Sequence, residues 1–195
     1  EQIRKGRVTS SQFMFHDSLQ NERDLGINLW EKQCPITEGI AFSIPAPDGS
    51  RALFWEARLD HYGQSIDQRV KFSGWMEEFA RRGGKLVIED AGPEHLEQYA
   101  RTHDLVLVAS GKGEIARMFE RDASRSPYST PMRALALTYV TNMVPREPYH
   151  AVAFSLMPGV GEYFVFPALT LSGPCEIMGF EGVGGGPMDC WQDVK

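Results

Sequence analysis

The chain has 195 residues, of which 42% are hydrophobic and 24% charged, values that are ordinary for a folded globular protein. Its net charge of -6 and pI near 5.4 argue against the basic surface that nucleic-acid binding requires. No apolar run approaches the length that spans a bilayer, so the sequence predicts no membrane contact. The three cysteines form no Cys-x-x-Cys pair, so we expect reduced thiols, a cytoplasmic protein and no zinc site.

The two ends of the chain are unusual for a complete protein. It begins at Glu1 without a methionine, and residues 188–195 form no clear final element. We therefore expect a part of a longer protein.

Residues 7–15 are predicted to pass from an extended start into a helix that continues to about Asp24, with Ser10 or Ser11 as its N-cap. Arg7 precedes this helix and could hold an anion near its N-terminus, although a solvated arginine is the more frequent outcome.

The stretch from residue 36 to residue 58 reads as a β-hairpin. Two apolar arms flank the turn at residues 45–50, which carries Asp-Gly at its tip. Trp55 and Phe54 alternate in the second arm, and either ring could wall an apolar pocket. Packing in a core is the more frequent use of such rings.

A helix is predicted over residues 65–82, with Ser65 and Gln68 as a capping box and Gly83-Gly84 as its C-cap. The apolar residues of this helix fall on one face: Phe72, Met76, Phe79 and Ala80. Arg69 lies among them. Its guanidinium could reach past the helix end, pair with an internal carboxylate, or face a bound phosphate.

The next segment predicts an incomplete parallel β-α-β unit. A short strand, Lys85 to Glu89, precedes a helix from Glu94 to Thr102 and a second strand from Leu105 to Ala109. The second strand ends in Ser110-Gly111, where the backbone could approach a ligand beyond the end of the sheet.

The C-terminal part is predicted to be an antiparallel sheet. A short helix over residues 113–120 and a linker over residues 122–132 come first. Four strands follow: Arg133–Val140, His150–Met157, Glu162–Leu169 and Cys175–Glu181. Phe154 should point to one face of its strand, and Phe164 and Phe166 to one face of the next. We expect one face of this sheet to cover a core or a ligand cavity.

The order of these segments resembles the FAD-dependent oxygenase component of styrene monooxygenases. The resemblance rests on Arg81-Arg82-Gly83-Gly84-Lys85, Val108-Ala109-Ser110-Gly111-Lys112, the hairpin around Pro158-Gly159, the Arg7 region, Trp30 and Ile66-Asp67-Gln68-Arg69. It covers nearly the whole chain, and the ordered set is more specific than any single motif.

The resemblance implies an α/β protein of the aromatic-hydroxylase type. A partial FAD-binding region with a hairpin insert would span residues 1–121, and an antiparallel-sheet substrate-binding region would span residues 122–195. The parent would epoxidise a small aromatic alkene or an indole-like substrate through a flavin C4a-hydroperoxide. An NADH-dependent flavin reductase would supply the reduced FAD, and a homodimer is compatible with this interpretation.

The resemblance also assigns residues. Arg7, Arg69, Ser110 and Gly111 would contact FAD. Ser10 stands where the styrene enzymes carry an asparagine, which puts styrene itself in doubt as the substrate. The predicted substrate-binding residues are Ser10, Trp55, Phe154, Phe164 and Phe166, and no catalytic side chain or metal ligand is predicted.

Two other functions remain open at this point. The chain could be a free-standing module that binds an apolar aromatic ligand without chemistry. It could also come from a single-component class A flavin hydroxylase, which reduces its own FAD with NAD(P)H.

Overall fold

The computed structural model describes residues 2–6, 11–111 and 114–191. They divide into two compact units, Glu1–Gly84 with Pro131–Lys195, and Lys85–Thr130. These boundaries lie at other positions than the expected division into residues 1–121 and 122–195. We refer to the first unit as the sheet unit and to the second as the small unit.

The sheet unit contains a seven-stranded mixed sheet. Its strands are β1 (Ser11–Met14), β2 (Thr37–Pro45), β3 (Arg51–Asp67), β4 (Arg133–Val140), β5 (Ala151–Met157), β6 (Gly161–Thr170) and β7 (Gly173–Val183). The order across the sheet is β1-β3-β2-β5-β6-β7-β4. The α/β class is therefore confirmed, and strands from both halves of the sequence share one sheet.

The predicted antiparallel strands are confirmed. β5, β6, β7 and β4 pair antiparallel in that order, and Gly159 adopts φ 77° in the turn between β5 and β6. The predicted hairpin also forms, with Gly49 at φ 82° in its turn. A parallel pairing of β2 with β5 joins the hairpin to the antiparallel strands, which the sequence did not indicate.

The described helices are α1 (Gln2–Lys5), α2 (His16–Asp24), α3 (Gln68–Arg81), α4 (Pro93–Thr102) and a 3-10 turn (Ile115–Met118). Helix α2 ends at the predicted residue but begins later than expected. Residues 11–14 pair with the end of β3, and no side chain at Phe15 caps the helix. The predicted N-cap at Ser11 is therefore wrong, because its backbone is committed to the sheet.

Helix α3 also begins later than predicted. Strand β3 continues through Ser65 to Asp67, and the Asp67 carboxylate caps the helix by accepting a hydrogen bond from the Arg69 backbone N–H at 2.8 Å. The capping box of Ser65 and Gln68 is wrong for this reason. The predicted C-terminal end is confirmed, with Gly83 at φ 93° directly after it.

The buried face of α3 is the opposite of the one predicted. Phe72 and Phe79 are 42% and 50% exposed, whereas Lys71 is buried. The Lys71 ammonium pairs with the buried Glu22 carboxylate on α2 and lies 4.9 Å from the Trp75 ring centroid. A buried charge is tolerated when it is paired, so this contact fixes which face turns inward.

The parallel β-α-β unit is not formed. Helix α4 is present, but the segments Lys85–Glu89 and Leu105–Ala109 form no strands and pair with none. Ile88 is 85% and Leu107 83% exposed. Two isolated parallel segments are not stable as a sheet, and no third strand of the small unit lies beside them among the described residues. They instead line one open pocket of about 540 Å³ together with Tyr99.

None of the described helices combines the length and apolar character needed to cross a membrane.

Candidate functional site

A row of aromatic side chains crosses four strands of the sheet. Trp55 on β3 lies opposite Phe42 on β2, and Phe42 lies opposite Phe154 on β5. Phe154 in turn lies opposite Phe164 on β6. Residues paired directly across neighbouring strands point to the same face, so these four rings share one face. We call them the aromatic row.

The rings of the row contact one another in two pairs. The centroids of Phe42 and Trp55 are 5.8 Å apart at an interplanar angle of 25°, and those of Phe154 and Phe164 are 6.2 Å apart. Trp55 is 46% exposed, whereas Phe42, Phe154 and Phe164 are half-buried. The row therefore presents ring surface that the described residues leave uncovered, which is the property expected of a wall for an apolar ligand.

Phe166 belongs to the same face but to its core. It is 4% exposed, stacks on Phe164 at 5.8 Å, and meets the edge of the Phe13 ring at 5.7 Å. Val152 and Ile177 pack in the same cluster. Phe166 therefore packs against the buried side of the aromatic row. Its direct contact with a substrate stays a prediction.

Gly179 on β7 determines how the Phe164 ring lies. The two residues are register partners, and a Cβ added at Gly179 would lie 2.1 Å from Phe164 Cζ. The ring thus extends across the glycine backbone. A glycine inside a strand commonly marks such a close approach.

Arg69 pairs with an internal carboxylate, one of the three partners that the sequence left open. Its Nη2 donates to Asp67 Oδ2 at 2.6 Å and its Nε to both carboxylate oxygens at 3.1 Å. Asp67 is fully buried, and its hydrogen bonds raise the pKa of the arginine. Nη1 reaches the Gly6 carbonyl at 3.4 Å, which links α3 to the N-terminal segment.

Ser110 and Gly111 lie in the small unit. Ser110 lines an open cleft of about 510 Å³ together with the N-terminal end of α4. Gly111 adopts φ 61°, and a Cβ there would meet no atom within 4 Å. The same cleft is lined by Asp90, Glu94 and Glu114. Three carboxylates disfavour a pyrophosphate but suit the hydroxyl groups of a ribose.

Arg7 and Ser10 lie outside the described residues, so their predicted roles stay predictions.

The cysteines do not offer a nucleophile at the aromatic row. Burial raises the pKa of Cys34 and of Cys175 to about 11, which keeps both as thiols at neutral pH. Cys190 is exposed, and all three are free. No group of three or more potential ligands for a metal ion occurs within residues 2–6, 11–111 and 114–191.

Sequence reasoning missed Phe42, Phe13 and Gly179. Phe42 lies in the first arm of the predicted hairpin, so its facing of Trp55 follows once the register is known. The sequence predicts a helix at Phe13, whereas in the structure this residue lies on β1. The sequence gives one weak indication for Gly179, which is a glycine in the interior of a predicted strand.

Comparison with known proteins identifies relatives of both parts of the chain. Residues 111–195 match the family model described as "Styrene monooxygenase A putative substrate binding domain". Two relatives named styrene monooxygenase StyA, from Pseudomonas fluorescens and from a Pseudomonas species, are each 28% identical over 156 residues, or 80% of this chain.

The matched part is 37% of the length of each of these relatives, so the chain spans little more than a third of them. Phe154, Phe164 and Gly179 all lie within the segment that matches the substrate-binding domain. The expected resemblance is confirmed: the chain is similar to part of StyA, and its residues 111–195 are similar to the model of that family's substrate-binding domain.

Proposed function

We propose that this chain forms the substrate-contacting part of a two-component, FAD-dependent monooxygenase that epoxidises aromatic alkenes. The observation that carries the proposal is the aromatic row, whose Phe154 and Phe164 lie in the matched substrate-binding domain. The curated relatives are named styrene monooxygenases, and styrene is a small apolar aromatic molecule.

The row suits such a ligand physically. Aromatic rings attract other rings in offset or edge-on arrangements, which adds about 0.5–1.5 kcal/mol to the burial of apolar surface. Half-buried rings on a sheet are held by their neighbours and lose little freedom when a ligand binds. The role of this chain is thus to orient the substrate and exclude water, with no side chain needed as nucleophile.

FAD, when reduced by a separate NADH-dependent reductase, would activate molecular oxygen for transfer to the substrate. Of the residues expected to contact it, Ser110 and Gly111 form an accessible backbone edge beside carboxylates, which fits a hydroxylated portion of the cofactor. Arg69 is committed to Asp67, so it contributes to the site by holding the N-terminal segment. A cytoplasmic location fits the three free cysteines.

The direct test is an NMR titration of the isotope-labelled chain with indole. We expect shifts concentrated at the aromatic row and the Trp55 indole N–H. Phe154→Leu should weaken binding about threefold to tenfold, the equivalent of one aromatic contact.

Phe180→Leu is the matched control, because Phe180 packs on Tyr163 on the other face of the sheet. Equal weakening by both variants, or shifts away from the row, would contradict the proposal.

A second test separates the two-component enzyme from the alternatives. With styrene and with indole as test substrates, the full-length parent should form epoxide from at least one of them, and only when FAD, NADH and a flavin reductase are all present in air. Turnover with NADH alone would favour a single-component hydroxylase. Indole binding without any turnover in the complete system would favour a binding module.

A further inference from the structure

A small pocket on the other face of the sheet is not used by the proposed function. Its volume is about 270 Å³, and Pro35, Val140 and Pro167 form part of its wall. Glu176 on β7 lies between Val140 on β4 and Pro167 on β6 in the register. Its neighbour Ile177 points to the face of the aromatic row, so Glu176 points to the opposite face.

The Glu176 carboxylate lacks a hydrogen-bond donor within the described part of the chain. Its side chain is 20% exposed, and burial raises its pKa. His150 Nδ1 is 4.0 Å from Oε1, which is too long for a hydrogen bond. Partial burial disfavours the charged carboxylate, so a cationic donor in the pocket would stabilise it.

Three further residues with polar side chains line the pocket, Asn142, His150 and Cys175. The Cys175 side chain packs in the same cluster as Ile177, so its thiol points to the face of the aromatic row and away from Glu176. The pocket therefore combines the Glu176 carboxylate and the polar residues Asn142 and His150 with walls of proline, valine and methionine side chains.

We propose that this pocket binds a small organic ammonium ion with an apolar body. The ammonium group would donate to Glu176, and the apolar part would pack on the proline and valine walls. An anion would meet the carboxylate at close range and be repelled. A neutral hydrocarbon would leave the carboxylate without a donor.

The test compares two ligands of similar size on the full chain at about pH 8. Benzylammonium is the probe and benzyl alcohol its uncharged counterpart. NMR titration should place benzylammonium at residues of the pocket, with at least about tenfold tighter binding than benzyl alcohol, as expected for a charge-assisted contact. Equal binding of the two ligands would overturn the proposal without any variant.

Variants then assign the contact. Glu176→Gln keeps the shape of the side chain and should remove the preference for benzylammonium. Glu162→Gln is the matched control, because Glu162 is also a partly buried carboxylate of the sheet with a raised pKa but does not line the pocket. The proposal fails if the two substitutions have the same effect. It also fails if His150→Ala abolishes binding, because the histidine would then be the recognising group.

Discussion

Gly179→Ala tests whether the position of the Phe164 ring depends on the absence of a side chain on β7. The added Cβ would lie 2.1, 2.3 and 2.7 Å from three ring carbons, whereas ordinary contact begins near 3.4 Å. The ring must therefore move by about 1 Å or more, and overpacking of this kind costs about 1–3 kcal/mol. Phe164 is only half-buried and can swing outward, so we expect the lower half of that range.

Part of this loss is offset by the backbone. Alanine in a strand restricts the unfolded chain more than glycine does, which returns about 0.5–1 kcal/mol. The net destabilisation should be about 0–1.5 kcal/mol in urea unfolding, with weaker indole binding because the row is displaced. Gly184→Ala is the control, since a Cβ there meets only the Pro131 carbonyl oxygen at 4.0 Å.

The double variant Phe164→Ala/Gly179→Ala distinguishes a clash from a general glycine effect. If the ring and the Cβ compete for one space, the two changes are non-additive by about 1–2 kcal/mol, within the range found for residues in contact. Additive effects, or a Gly179→Ala protein as stable as Gly184→Ala and with unchanged indole affinity, would refute the account of the row.

Three further substitutions test the packing that positions the sheet. Lys71→Met leaves the buried Glu22 carboxylate without its cation and should cost about 3–5 kcal/mol in urea unfolding, most of which Glu22→Gln in the same chain should recover. Asp67→Ala removes the cap of α3 and the partner of Arg69, so a loss of at least about 1 kcal/mol is expected, and an unchanged midpoint would contradict the capping role. Burial, and then the facing Glu181, raise the pKa of Glu162, so the folded state binds a proton at this carboxylate more tightly than the unfolded state does. The free energy of unfolding therefore falls as pH rises from the usual carboxyl pKa through the raised pKa of Glu162. Glu162→Gln should therefore stabilise the protein by about 0.5–1 kcal/mol at neutral pH and have no effect in acid, as urea unfolding at both pH values will show.

The antiparallel strands could be predicted because the information lies within short stretches of sequence. Phe164 and Phe166 alternate with other residues on β6, and the glycine turn after Met157 sets the next strand. The sharing of a face by Phe154 and Phe164 then follows from the hairpin alone. Trp55 joins them only through the parallel pairing of β2 with β5, which connects residues more than a hundred positions apart and leaves no local pattern.

Helix α3 shows why periodicity locates a face without saying where that face points. The apolar positions of the helix do share one side, as the spacing of Phe72 and Phe79 indicates, yet that side is exposed. The orientation of the helix is set by the ion pair between Glu22 on α2 and Lys71 on α3. A contact between two helices cannot be predicted from the residue pattern of either helix alone. Gly74 completes the arrangement by leaving room for the Trp30 ring, which would lie 2.4 Å from a Cβ at that position. A lysine is normally predicted to be exposed to solvent, and it is buried only where a carboxylate lies close enough to pair with it. The same reasoning applies to Arg69, whose pairing with Asp67 the sequence could offer only as one of three alternatives.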